Sequence, residues 1–197
     1  MKPRSATINR VTKETNINLT FSLDGKGSGK ISTTIPFLDH MLELFTKHGL
    51  FDCAIKAKGD TEIDDHHLVE DIGISLGEAL KKALGDKKGI ARYGFAQVPM
   101  DESLSSITLD LSGRPYFDYK VGVGKKKIKE FDIALVEEFL RAFCFSCGFN
   151  LYVRLLEGKN IHHIFESIFK ALGRALDAAT MIDPRRGGDI PSTKGRL

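Results

Sequence analysis

An α+β fold built from an internally duplicated half-domain is predicted by three observations. Apolar residues alternate in short runs, helical periodicity separates those runs, and both recur in the same order in the second half of the chain. Each half reads strand, strand, helix, strand, helix, and the helices are expected to pack between two four-stranded mixed sheets. Residues 1–88 make the first repeat and residues 89–197 the second, together forming one compact unit.

In the first half, Ile17, Leu19, Phe21 and Leu23 alternate, Asp24 to Gly29 interrupt, and alternation resumes at Ile31, Thr33 and Ile35. This pattern predicts a hairpin with a Gly-rich turn. Leu38, Met41, Leu42 and Phe45 recur at helical spacing up to Gly49, and Phe51, Cys53, Ile55 and Ala57 return to period two. A second helix is expected through Ile72, Leu76, Ala79, Leu80 and Ala83. In the second half, Ile107 to Leu111 and Phe117 to Val123 alternate around the turn Ser112-Gly113-Arg114-Pro115. A helix from about Ile133 to Phe145, a strand through Leu151, Val153 and Leu155, and a helix from about His162 to Ala179 follow. Residue identity supports the repeat when His66 is laid on His162. His66-His67, Glu70, Ile72, Leu76, Gly77, Ala79 and Leu80 are reproduced by His162-His163, Glu166, Ile168, Leu172, Gly173, Ala175 and Leu176.

Composition narrows the function classes. A chain of 197 residues with 42% hydrophobic content can bury a substantial core. The formal charge of +3, from 29 basic and 26 acidic residues, surrounds the protein with no strong single-sign field and gives no argument for nucleic acid. No run approaches the roughly 18 apolar residues that span a bilayer, and the first residues lack the apolar segment of a secretion signal. No membrane association and a cytoplasmic location are therefore expected. The three cysteines, Cys53, Cys144 and Cys147, suit a reducing compartment. Cys144 and Cys147 have redox-pair spacing, but they fall among Leu140, Phe143 and Phe145 and read better as small apolar residues of a helix.

All six histidines lie in three places: His40 with His48, His66 with His67, and His162 with His163. At a helix start, residues i and i+4 share a face, whereas i and i+1 diverge by roughly 100°. His66 and Glu70 can therefore hold one ion while His67 points toward another, and His162, Glu166 and His163 repeat the arrangement. If the repeats face each other, each metal receives a His and a Glu from one helix and the diverging His from the other. His40 and Glu138, at corresponding places on the preceding helices, are candidates for a further ligand each. Imidazole with carboxylate suits Mn, Fe, Co, Ni or Zn, and affinity order alone does not choose among them. A single HHxxE run is often a solvated helix start; two copies inside a repeat argue for metal. Asp64-Asp65 before His66 read as a helix cap.

Phe37-Leu38-Asp39-His40-Met41-Leu42, His48-Gly49-Leu50-Phe51-Asp52, Asp65-His66-His67 with Glu70-Asp71-Ile72, Ser112-Gly113-Arg114-Pro115 and Pro191-Ser192-Thr193-Lys194-Gly195 closely resemble the imidazoleglycerol-phosphate dehydratase family of histidine biosynthesis. The resemblance runs from Arg10-Val11-Thr12-Lys13-Glu14-Thr15 to the C-terminus. It implies conversion of D-erythro-imidazole glycerol phosphate to imidazole acetol phosphate and water, two manganese ions per site, and a 24-subunit homo-oligomer with sites between subunits. It also implies that one ion takes His40, His67, His162 and Glu166, and the other His66, Glu70, His163 and Glu138. The family commonly has His at position 138, so Glu138 puts that ion's affinity or metal preference in question. Leu44 stands where many members carry Gln, and Tyr152 occupies a common His position.

The proton to be removed is bound to carbon and is barely acidic. Cations on both ring nitrogens favour imidazolate, whose electrons can expel the neighbouring hydroxyl. The resemblance makes Glu14 the leading proton-transfer residue, with Glu166 and His48 as further participants. Glu14, His40, His48, His66, Glu70 and His162 are the implied contacts to the imidazole and glycerol parts of the substrate. Arg92, Arg114, Lys170, Ser192 and Lys194 match the family's phosphate-binding places. Lys170 has independent support, since it falls one turn beyond Glu166 on the same face. Two other classes remain open: a dinuclear phosphohydrolase, which usually has a carboxylate-rich site, and a nucleic-acid-binding module, which usually shows a basic stripe with exposed aromatics.

Overall fold

The computed structural model describes residues 4–124 and 126–197. The first repeat contains β1 (Ser5–Val11), β2 (Thr15–Ser22), β3 (Ser28–Ser32), α1 (Pro36–His48), β4 (Asp52–Gly59) and α2 (His66–Leu84). The second contains β5 (Tyr93–Met100), β6 (Ser103–Asp110), β7 (Tyr116–Lys120), a short ribbon of β8 (Lys127–Ile128) and β9 (Phe131–Asp132), α3 (Leu135–Cys147), β10 (Asn150–Glu157) and α4 (Ile161–Thr180). A 3-10 turn at Pro184–Arg186 lies in the tail.

Each repeat folds a four-stranded mixed sheet in the same order: β1-β2-β4-β3 and β5-β6-β10-β7. The last pair of each sheet, β3 with β4 and β7 with β10, is parallel, and the remaining neighbours are antiparallel. Helices fill the space between the sheets. α2 packs on β1 and β2 and against α3, and α4 packs on β5 and β6 and against α1. The duplication thus reaches the tertiary level, with each helix pair drawing one member from each repeat.

The alternation in β2 buries Ile17, Leu19 and Phe21 beneath the helices and leaves Asn16, Asn18 and Thr20 outward or partly so. The expected hairpin between Ile17–Leu23 and Ile31–Ile35 does not form, because β4 lies between β2 and β3. Instead Asp52, at the start of β4, accepts the N–H groups of Lys26 and Ser28 and fixes the Gly-rich crossing. The chain then reaches β4 through α1, the crossover that parallel strands require.

The structure also adds β1 and β5 ahead of the strands read from the pattern. Only Ile8 of β1 is buried, and β5 turns Gly94 and Ala96 inward while Tyr93 and Phe95 face out. A Cβ on Gly94 would lie 1.9 Å from the Ala175 carbonyl oxygen, so β5 rests directly on the α4 backbone. Gly173 similarly permits close approach of α4 to α1, since its Cβ would lie 2.5 Å from Phe45 O. That contact brings the face of α1 carrying His40 beside the face of α4 carrying Glu166.

Cys144 and Cys147 lie buried in α3, and burial pushes both thiols up to about 12, as expected of apolar packing residues. Among the described residues no helix is long and apolar enough to cross a membrane.

Candidate metal centre

Both His-His pairs occupy capped helix starts. Asn160 Oδ1 accepts the His162 N–H at 3.0 Å, and Asp64 Oδ1 accepts the His66 N–H at 2.8 Å. Asp65, although it is the N-cap residue of α2, makes no side-chain capping bond. Of the two aspartates expected to cap, Asp64 makes the bond. Each cap fixes the first turn, from which the paired rings project nearly perpendicular to each other, at 89° in α2 and 82° in α4.

Three expected ligands converge within the chain. Glu166 Oε1 lies 2.9 Å from His40 Nε2 and 3.0 Å from His162 Nε2, and the three ligand atoms are all within 4.8 Å of one another. An octahedral ion with bonds of about 2.1 Å separates adjacent ligands by roughly 3 Å, so this spacing fits one edge-sharing set. The two imidazoles and one carboxylate also match the donor preference of a divalent transition ion. Burial alone would push the Glu166 carboxyl up. Hydrogen bonds from Lys170, at 2.7 Å, and from His40 and His162 outweigh it and hold the group at about 2. Glu166 therefore stays ionised across the physiological range, as a metal ligand must.

The other expected ligands are not gathered into a second such group among the described residues. His67 Nδ1 meets Asp60 at 3.0 Å and lies 4.0 Å from Glu14, and His163 Nδ1 meets Glu102 at 2.8 Å. Those carboxylate hydrogen bonds push both imidazoles up from their ordinary value. Glu70 is exposed on α2, and Glu138 is half-buried on the packed neighbour α3, 3.9 Å from Arg141. Asp60 and Glu102 went unnoticed in the sequence. Glu102 had a signal: it immediately precedes β6 as Glu14 immediately precedes β2. Comparing the helices at one offset hid it, because the β8–β9 insertion changes the spacing between repeats.

The expected phosphate contacts divide between two places. Arg92, Arg114, Ser192 and Lys194 line one open cleft of about 610 Å³ with Arg186 and Arg196. Arg92 is already engaged there, donating to Asp110 at 2.7 Å and to the Pro191 carbonyl at 2.8 Å. Lys170 lies instead on Glu166 and Met100. A cavity of about 540 Å³ borders the His40–His162 pair, walled by Ile35, Phe37, Ile128 and Phe131. His48 lines a different cavity, with Leu50, Phe95, Gln97 and Arg174. Burial, reinforced by Lys170 and Arg174, pushes His48 down and favours its neutral form. Of the departures from the family pattern, Leu44 packs against the core and Tyr152 faces outward against Tyr116, with ring centroids 5.5 Å apart.

The sequence profile described as imidazoleglycerol-phosphate dehydratase matches residues 33–176. The protein of that name from Geobacter metallireducens is 58% identical over 194 residues, which cover 98% of this chain and 99% of the relative. The Geobacillus sp. protein of the same name is 57% identical over the same coverage. The crystal structure of the Staphylococcus aureus imidazoleglycerol-phosphate dehydratase is 40% identical with a TM-score of 0.82, covering 91% of this chain and 99% of that one. The Pyrococcus furiosus structure is 37% identical with a TM-score of 0.83, covering 96% and 100%. On sequence along nearly its whole length and on fold, the chain belongs to the imidazoleglycerol-phosphate dehydratase family.

Proposed function

We propose that this chain is a two-metal hydro-lyase of histidine biosynthesis, converting D-erythro-imidazole glycerol phosphate to imidazole acetol phosphate and water, with both ions shared between chains. The observation that carries the reading is the Glu166 carboxylate bridging His40 and His162, because it joins one HHxxE copy to the preceding helix of the other repeat. His67 completes that ligand set, and His66, Glu70, His163 and Glu138 form the other. His67 and His163 lie outside the triad among the described residues, as ligands contributed to a neighbouring copy would. Bound divalent ions, here manganese, would act as Lewis acids on the imidazole nitrogens and favour its deprotonated form.

The chain's own groups do the rest. Glu14, half-exposed on the β1–β2 turn beside His67, moves the carbon-bound proton. The turn is braced by Thr12, whose hydroxyl accepts the N–H groups of Glu14 and Thr15. Glu166 holds its ion. His48, favoured neutral, is an acceptor for a substrate hydroxyl. Arg92, Arg114, Ser192 and Lys194 bind phosphate in the tail cleft, while Lys170 reaches it from the α4 side of an adjoining chain. This division explains why the phosphate residues lie in two places on one chain. Exposed Leu50, Tyr93, Phe95, Met181 and Ile182 supply apolar surface for association, which supports a homo-oligomer; its size of 24 chains and its place in the cytoplasm follow from the family reading. The repeats, 1–88 and 89–197, each supply half of the ligands.

A product assay tests the reading. Purified protein stripped of metal and resupplied with Mn2+ is expected to form imidazole acetol phosphate, and chelated protein is expected to be inactive. Release of inorganic phosphate would mark a phosphohydrolase instead, and salt-sensitive RNA retention without turnover would mark a binding module.

A further inference from the structure

The two histidines that diverge from the triad share a feature that the ligand assignments leave unexplained: in each, Nδ1 is occupied by a carboxylate from its own chain. His67 Nδ1 lies 3.0 and 3.2 Å from the two Asp60 oxygens, and His163 Nδ1 lies 2.8 Å from Glu102 Oε2. His40 and His162, by contrast, use Nε2 to meet Glu166. A ring that donates Nδ1–H to a carboxylate is held in the tautomer whose Nε2 lone pair is free, and its rotation about the Cβ–Cγ bond is restricted.

We infer that Asp60 and Glu102 are positioning residues that aim Nε2 of His67 and His163 at the shared metal sites. The inference rests on the two-metal reading above. It extends that reading to two carboxylates outside the proposed ligand sets.

Both residues are themselves anchored, Glu102 through its carboxylate and Asp60 through its backbone. Glu102 Oε1 accepts the Asn160 N–H at 2.8 Å and the Ser103 hydroxyl at 3.1 Å, which ties it to the start of α4, the helix carrying His163. The Asp60 backbone N–H donates to the Glu14 carbonyl at 3.1 Å, and its carbonyl accepts the Ile63 N–H at 2.9 Å. The two repeats reach this result by different routes. Glu102 occupies the β5–β6 turn, the place that Glu14 holds in the β1–β2 turn, whereas Asp60 follows β4. In the first repeat Asp60, and not Glu14, makes the contact to His67, and Glu14 stands 4.0 Å off. In the first repeat, then, holding the histidine and supplying a free carboxylate are separate tasks; in the second, Glu102 performs only the holding.

The test measures Mn2+ binding by calorimetry on chelated full-length protein, with thermal unfolding of the chelated protein as control. Glu102→Ala is expected to weaken Mn2+ binding about tenfold or more, in line with losses of ligand-orienting partners. Glu102→Gln, which keeps a carbonyl acceptor for Nδ1–H, should restore most of the affinity, and Asp60→Ala and Asp60→Asn should behave in the same way. Unchanged affinity in both alanine variants overturns the inference, as does a loss of affinity matched by equal destabilisation of the metal-free protein. Absence of Mn2+ binding by the unaltered protein would instead remove the metal reading beneath it.

Discussion

Replacing Glu166 with Gln is expected to lower kcat/KM by about a thousandfold or more, a loss of roughly 4 kcal/mol of transition-state stabilisation. The substitution preserves shape but removes the charge on which His40, His162 and Lys170 converge. An amide is a poor ligand for a divalent ion and offers Lys170 no counter-charge, so the ion and the local geometry fail together. Steady-state kinetics with metal analysis of the same sample checks this. Glu166→Gln protein that keeps both activity and metal would remove the triad from the mechanism.

Arg114→Ala is expected to raise KM about 100-fold while changing kcat little, because its guanidinium lines the tail cleft and binds phosphate in ground and transition states alike. Hydrogen bonds to charged groups contribute about 1.5–3 kcal/mol each, which is the scale of that change. Arg114 is a cleaner probe than Arg92. Its backbone bonds, the N–H donated to the Ser112 hydroxyl and the carbonyl accepting from the Asn150 amide, survive the substitution, whereas Arg92 holds Asp110 and the tail in place and its loss would also cost stability. Initial rates across substrate concentration distinguish the outcomes. An unchanged KM would move the phosphate away from this cleft.

The periodicity of the chain made the duplication legible because apolar residues alternate inward along part of each strand: Ile17, Leu19 and Phe21 in β2, Cys53, Ile55 and Ala57 in β4, Ile107 and Leu109 in β6, and Leu151 and Val153 in β10. β1 and β5 escaped for physical reasons. β1 is an edge strand with a single buried residue, and β5 inverts the usual pattern by pressing Gly94 against α4 while its aromatics face out. Pairing partners were equally hidden, since Asp24 to Gly29 read as a tight turn although β4 separates the strands it joins.

At the site, the i, i+4 spacing put His162 and Glu166 on one face of a helix, where they lie 3.0 Å apart, and corresponding positions in the repeat pointed to His40, which lies 2.9 Å from Glu166. The anchoring roles of Asp60 and Glu102 depend on where a loop and a turn end in space. Only the superposition of Glu102 on Glu14 carried a trace of them in the sequence.

In the proposed enzyme the two HHxxE copies build two distinct ion sites. Anomalous diffraction at the manganese edge, from crystals of Mn2+-loaded protein, tests it most directly. Two peaks per active site are expected, one on His40, His162 and Glu166 with a neighbour's His67, the other on His66, Glu70 and Glu138 with a neighbour's His163. A single peak, or peaks away from both histidine pairs, would contradict it.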